Sequence, residues 1–152
     1  MADTNVKHIV RIVNTDVSGH KPIVQALRKI KGVSFMYANM VCALAGVTKS
    51  EKAGVLPEMQ IQQLEKVLQH PDDAGIPTWM RNRRNDYEDG DDKHLVGPTL
   101  KFVQDNDVRR LKKIKSNRGM RHAWGLPLRG QRTKSNFRRG KSKKSLGVKR
   151  KK

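Results

Sequence analysis

A chain of 152 residues is about one domain long, which argues against an enzyme with separate cofactor and substrate modules. Apolar residues make up 36% of it, against roughly 45 to 50% in an ordinary globular domain, so only part of the chain can build a core. The net charge of +19 is local: residues 108 to 152 carry 19 Lys/Arg and no Asp/Glu, while the other 14 cations balance all 14 acids. So dense a block of like charge repels itself until a polyanion neutralises it, which points to nucleic acid or another anionic surface.

The single Cys42 excludes an intrachain disulfide framework, and His8, His20, His70, His94 and His122 lack zinc-ligand spacing, so no metal or other cofactor is expected. The apolar run at Val41 to Leu44 is far below the roughly 20 residues of a membrane span, and no secretory signal is evident. The expectation is a soluble intracellular protein without a membrane partner.

In chain order, Val6 to Val13 reads as a strand or extended lead-in, running into the turn-rich Asn14-Thr15-Asp16-Val17-Ser18-Gly19. Pro22 suits a first helical position, Ile23, Leu27 and Ile30 follow at i, i+4 and i+7, and Gly32 is placed to end that helix. A second helix is expected with Phe35, Met36, Met40, Val41 and Leu44 on its apolar face, closed by Gly46. Thr48 and Glu51 have capping-box spacing with only a turn of chain before Gly54. A third helix follows Pro57, with Ile61, Leu64, Val67 and Leu68 on one face and Pro71 as its stop.

From Pro71 to Pro77 the composition is that of a linker. Trp79 to Arg84 and Lys93 to Val96 flank an acidic stretch containing Asp89-Gly90, which suggests a β-hairpin insertion. An EF-hand is excluded there: with Gly90 sixth, the third ligand would be Tyr87 and the twelfth Val96. A solvated turn facing away from the polyanion is the expected reading.

Thr99 can cap a fourth helix using Leu100, Val103, Leu111 and Ile114, with Asp105 and Arg109 as an i, i+4 pair. The expected organisation is a helical domain over 1–70, linker and hairpin-like insertion over 71–98, a long helix over 99–116, and a basic arm without its own core over 117–152. The fold class is mainly α with an extended C-terminal arm.

Within that arm, residues 118 to 139 interleave arginines with Gly and Pro, so the backbone can turn closely against a ligand while guanidinium forks reach phosphates. His122 and Trp124 can stack on unpaired bases, which suits RNA better than a smooth DNA duplex. A generic solvated tail, or an import-type signal in Lys149-Arg150-Lys151-Lys152, accounts for the last four residues but not for an indole. An architectural DNA binder competes on composition alone, but such proteins mount their cations on a rigid helix or ribbon.

The run Arg-Gly-Met-Arg-His-Ala-Trp-Gly-Leu-Pro-Leu-Arg-Gly-Gln-Arg-Thr at 118 to 133 resembles the signature of the universal small-subunit ribosomal protein family called S-thirteen in bacteria and S-eighteen in eukaryotes. The resemblance extends to Val13-Asn14-Thr15, to Lys31-Gly32-Val33 and to Arg110-Leu111-Lys112-Lys113-Ile114, and the insertion from Ile76 to Lys93 is similar to the longer archaeal and eukaryotic form. It implies a helix-two-turns-helix domain and an RNA-threaded arm in the head of the small subunit. It also implies bridges to the large subunit through protein L-five, a neighbouring head protein S-nineteen, and transfer RNA near the tail. Carried over by position, the ribosomal-RNA contacts are Arg118, Arg121, His122, Trp124, Arg129, Gln131, Arg132 and Asn136. The cations and polar residues around them, Thr133, Lys134, Arg138, Arg139, Lys141, Lys143 and Lys144, extend the set. Lys149, Arg150, Lys151 and Lys152 are the transfer-RNA candidates.

Ser34 and Pro57 depart from the family pattern, which usually has a second Gly at the first position and a Ser or Thr cap at the second. No catalytic residue is expected: no carboxylate lies near His122 to orient it as a base, and Cys42 sits among apolar neighbours. The base-excision glycosylases that share the helix-two-turns-helix element carry an N-terminal Pro-Glu and usually a zinc finger; Met1-Ala2-Asp3 and one cysteine provide neither.

Overall fold

The computed structural model describes residues 6–133. The chain divides within its longest helix, between Phe102 and Val103, into two compact units.

The first unit opens with an antiparallel hairpin, β1 (Ile9–Ile12) and β2 (Thr15–Ser18), in which Ile12 pairs with Thr15 and Ile9 with Ser18. The sequence suggested a single strand followed by irregular turns. Thr15-Asp16-Val17-Ser18 is polar at every position but one, and that one, Val17, is buried. The two-residue turn places both Val13 (φ +45°) and Asn14 (φ +54°) in the left-handed region, as a type I′ hairpin requires. Asn tolerates that region, whereas β-branched Val does not. The strain at Val13 is held by tertiary contacts: its N–H donates to Glu65 Oε1 at 2.8 Å, from an element 52 residues away.

The next element, α1 (Ile23–Leu27), buries Ile23, Val24, Ala26 and Leu27. It is shorter than its apolar periodicity suggested, because Lys29 and Ile30 donate to carbonyls three residues back and tighten the exit towards Gly32. Gly32 has φ +96°, and a Cβ there would lie 2.3 Å from the Leu95 carbonyl oxygen, so this turn admits only glycine without displacement.

Ser34 caps α2 (Phe35–Leu44), its hydroxyl accepting from Tyr37 N–H at 3.2 Å. Ser34, noted above as a departure from the resembled pattern, thus supplies a side-chain cap. The buried face of α2 is Tyr37, Ala38, Val41 and Cys42, while Phe35, Met36 and Leu44, three of the five residues expected inside, are about half exposed or more. Burial pushes the Cys42 thiol up to about 11, consistent with a core residue and not a nucleophile.

Two successive turns connect α2 to α3 (Glu58–Gln69): Glu51 N–H to the Thr48 carbonyl, and Val55 N–H to the Lys52 carbonyl, each 3.1 Å. This is the helix-two-turns-helix arrangement. The connection also pairs with the lead-in to α1, since Ile23 N–H donates to the Glu51 carbonyl at 2.8 Å and Ala53 N–H to that of Lys21 at 3.0 Å. Helix α3 has no side-chain cap at Pro57 and turns Leu64 and Leu68 inward, with Ile61 and Val67 partly buried.

The insertion contributes Ile76 and Val96 to the same core. It contains a short 3-10 turn (Thr78–Met80) and closes through one bridged pair, Arg83 with Lys93, instead of a full hairpin. Its acids are not all left to solvent. Asp86 accepts from Arg83 Nε at 2.6 Å and from Lys93 Nζ at 3.1 Å, Lys93 also pairs with Asp89, and the hydrogen bond from Arg83 holds the Asp86 carboxyl below its ordinary range. The imidazole of His94 stacks on Tyr37 with centroids 3.8 Å apart and planes 12° from parallel.

The long helix α4 (Gly97–Lys113) begins two residues before Thr99, with Gly97 N–H donating to the Lys31 carbonyl at 2.7 Å. Among the described residues no helix is long and apolar enough to cross a membrane, and no group of three or more metal-ligating side chains occurs.

Candidate nucleic-acid interface

The cationic sequence begins inside the second unit. Beyond Val108 the C-terminal part of α4 carries Arg109, Arg110, Lys112 and Lys113, the last three lying in its final turn where they also complement the helix dipole. The helix ends at Lys113, Lys115 in the turn after it takes φ +53°, and Ser116 caps a new helix, α5 (Asn117–Trp124).

This helix corrects the expectation of an extended arm from residue 117. The sequence reading passed over Met120, Ala123 and Trp124, which stand at i, i+3 and i+4, because Arg, Gly and His dominate the segment; Ala123 and Trp124 are exposed, and the helix is fixed at its ends. Ser116 Oγ accepts from Gly119 N–H at 3.1 Å and donates to the Leu111 carbonyl at 3.0 Å, so one hydroxyl caps α5 and ties it to α4. Gly125, at φ +67°, closes the other end: its N–H reaches the His122 carbonyl and Leu126 N–H reaches that of Arg121 at 2.9 Å, the Schellman pattern.

Gly119 is the buried residue of α5, and its Cα side faces the end of α4: a Cβ built there would stand 2.1 Å from the Leu111 carbonyl oxygen and 2.7 Å from Lys112 N. With Gly119 turned inward, Trp124, Arg121, Arg118 and His122 occupy successive positions over about 160° of the remaining helix surface, at 100° per residue. Trp124 is 65% exposed, so its indole is available for stacking and is not spent on the fold.

After Gly125 the chain runs without regular secondary structure and bends back on α5. Arg121 Nε donates to the Pro127 carbonyl, and Gln131 Oε1 accepts from Arg129 N–H at 3.0 Å. Between α5 and this loop lies an open cleft lined by Asn117, Arg118, Arg121, Leu128, Gly130, Gln131 and Thr133. Four sequence-predicted residues, Arg118, Arg121, Gln131 and Thr133, therefore meet around one concavity. His122 and Trp124 lie on the helix outside it, and Arg129 and Arg132 are exposed on the loop. Lys134, Asn136, Arg138, Arg139, Lys141, Lys143, Lys144 and Lys149 to Lys152 lie outside the described residues. The sequence reading missed Asn117 and the cations of α4, although the absence of acids from residue 108 onward already marked that segment.

Residues 109 to 133 hold nine Lys/Arg and no acid, arranged on a capped helix, a helix end and a folded-back loop. Such a surface can bind phosphates through guanidinium and ammonium groups and offer one aromatic plane to a base. The family model described as ribosomal protein S13/S18 matches residues 11–139. The chain belongs to the ribosomal protein S13/S18 family. It is 46% identical over 153 residues to the small ribosomal subunit protein uS13 of Methanopyrus kandleri, covering 99% of both chains. Against the protein of the same name from Nanoarchaeum equitans it is 47% identical over 136 residues, covering 90% of this chain and 89% of that one. The uS13 of Methanocaldococcus jannaschii is 42% identical over 152 residues, covering all of this chain and 99% of its own. The alignments span the insertion as well as the signature, and the family is one of ribosomal proteins of the small subunit, not of enzymes.

Proposed function

We propose that the protein is a structural constituent of the head of the small ribosomal subunit, in the cytoplasm. Here α5, the loop through Thr133 and the cationic chain beyond it bind small-subunit ribosomal RNA. The observation that carries this reading is the presentation of Trp124, Arg121 and Arg118 on the surface of α5 that turns away from Gly119, with His122 at its edge and the indole exposed. Arginine and histidine donors contact phosphate and ribose, and the indole stacks on an unpaired base. The N-terminal unit then serves as an address: its hairpin and helices give a fixed shape for bridge contacts with the large-subunit protein L-five and for packing beside S-nineteen. Lys149, Arg150, Lys151 and Lys152, at the end of the cationic chain, extend to transfer RNA.

The binding step is counterion release. If roughly 8 to 12 cations of the arm meet phosphates, log affinity falls against log salt with a slope of about −6 to −10. Titration of the full chain with a small-subunit ribosomal RNA head fragment across a salt series tests this. A slope shallower than about −3, or equal affinity for duplex DNA, would remove the proposal. Sedimentation of the native protein with the small subunit, and not with chromatin, is the accompanying expectation.

A further inference from the structure

The N-terminal unit is close to electroneutral, but its charge is unevenly distributed. The acids of the insertion are partly paired with its own cations, as Asp86 is with Arg83 and Lys93. On another part of the unit, two adjoining concavities carry no acidic residue in their walls. One is lined by Thr15, Lys29, Lys31, Gly97, Pro98 and Lys101, and the other by Ser18, Lys21, Gln25, Ala26, Arg28 and Lys29. Lys29 belongs to both, so they form one continuous cationic face built from β2, α1, the turn after it and the start of α4.

Three features make this more than a scatter of surface lysines. The backbone beneath it is fixed, since Gly97 N–H donates to the Lys31 carbonyl at 2.7 Å and the turn at Gly32 is pressed against Leu95. Lys31 is thereby tied to the beginning of α4, beside Lys101, and the first turn of α4 contains no acid to oppose an anion. Finally, among the described residues Lys21, Lys29, Lys31 and Lys101 form no ion pair, so their charge is not compensated within the fold.

We propose that this face, centred on Lys29, Lys31 and Lys101, is a second RNA-binding site that takes the phosphodiester backbone of small-subunit ribosomal RNA. It fits a backbone and not a base edge, because flexible ammonium groups act on phosphate oxygens and the walls hold no aromatic side chain to stack on. Two phosphate sites on separate units bind one RNA with a higher effective concentration at the second site than at the first, and so add avidity without added sequence specificity. The inference rests on the ribosomal RNA-binding reading above and deepens it.

The test uses the full chain. Lys29→Glu, Lys31→Glu and Lys101→Glu, singly and together, are compared with Lys66→Glu on α3, which carries the same charge change away from this face. Circular dichroism and thermal melting check that each variant is folded. The triple variant is expected to lower the magnitude of the salt slope for head-fragment binding by about 2, since each lost phosphate contact removes roughly 0.7 to 0.9. Lys66→Glu should leave the slope unchanged. Titration of the wild-type chain with inorganic polyphosphate should shift the amide resonances of Thr15, Lys29, Lys31 and Lys101, with no RNA present. An unchanged slope in a folded triple variant, or an equal change in Lys66→Glu, overturns the second site while leaving the arm as the RNA ligand. Failure of the wild-type chain to bind the fragment at all overturns the ribosomal reading and this inference with it.

Discussion

Replacing Gly119 with alanine sets two physical effects of opposite sign against each other. In an isolated helix the change is favourable by about 1 kcal/mol, because glycine loses more backbone freedom than alanine on becoming helical. In this protein the added Cβ would sit 2.1 Å from the Leu111 carbonyl oxygen. Ordinary contact begins near 3.4 Å, so α5 must move by about 1.3 Å relative to the end of α4. The carbonyl cannot swing aside freely, since it accepts from both Ser116 Oγ at 3.0 Å and Ser116 N–H at 3.2 Å. Displacement strains or breaks those bonds, each of net value about 1 kcal/mol, on top of an overpacking cost of about 1 to 3 kcal/mol.

The clash outweighs the propensity gain, and Gly119→Ala should destabilise the α4–α5 corner by about 1 to 3 kcal/mol. Amide hydrogen exchange on the full chain reads this locally: Met120 N–H and Leu126 N–H, which bond within or at the ends of α5, should lose protection by about tenfold or more. Ala123→Gly is the companion change. Ala123 is exposed, so there only the propensity term acts, costing about 1 kcal/mol without a clash. Should Gly119→Ala instead increase protection at Met120 and Leu126, α5 would be behaving as a free helix, and the packing argument for the RNA-facing orientation of Arg118 and Arg121 would be refuted.

Ser116→Ala should cost about 1 kcal/mol in the same exchange assay, through loss of both the α5 cap and the tie to Leu111, whereas Ser116→Asp should retain most of the cap. Trp124→Ala should weaken ribosomal-RNA binding by about 1 to 3 kcal/mol while leaving the melting temperature unchanged, because the indole is 65% exposed; a lowered melting temperature with unaltered affinity would make it a packing residue instead. Burial depresses the His94 imidazole from 6.5 to about 4. The unfolded chain therefore takes up a proton between those values and the folded one does not, so this contribution is fully present above pH 6.5 and is lost as pH falls towards 4. The full linkage would be about 3 kcal/mol, and the partial exposure of the ring reduces it to about 1 to 2. Unfolding free energies from denaturant titrations at pH 7 and 4.5 should differ by that much more in the wild type than in His94→Phe, which keeps an aromatic ring against Tyr37; equal acid sensitivity of the two would remove His94 as the cause.

What could be read from the sequence divides along physical lines. Helix α3 was legible because Leu64 and Leu68 lie in a long stretch with clear periodicity, bounded by Pro57 and Pro71. The buried side of α2 was not, because its largest apolar residues, Phe35, Met36 and Leu44, are outside while Ala38 and Cys42 allow close packing inside. Tyr37, unmarked by any pattern, is completely enclosed. The hairpin was half legible: β1 has the Ile and Val of a strand, but β2 is held by pairing with β1 and by the Glu65 clamp on Val13, a contact 52 residues distant that no local rule encodes. Helix α5 was hidden for a different reason. Its stability derives from Ser116 and Gly125 at its ends and from the missing side chain of Gly119, and a reading built on apolar periodicity gives weight to none of these.

The candidate interface shows the same division between composition and arrangement. The run of charge from residue 108 onward is visible by counting, and it was enough to imply a polyanion. Counting also returned zero for the preceding 107 residues, and that zero concealed a segregation. Arg83 and Lys93 close on Asp86 in the insertion, which leaves Lys29, Lys31 and Lys101 uncompensated around the start of α4. Net charge predicts whether a segment is attracted to RNA at long range, within a Debye length of about 10 Å at 0.1 M salt; which groups touch phosphate depends on where the fold has already neutralised its cations. A neutral domain can therefore still orient on RNA through one face.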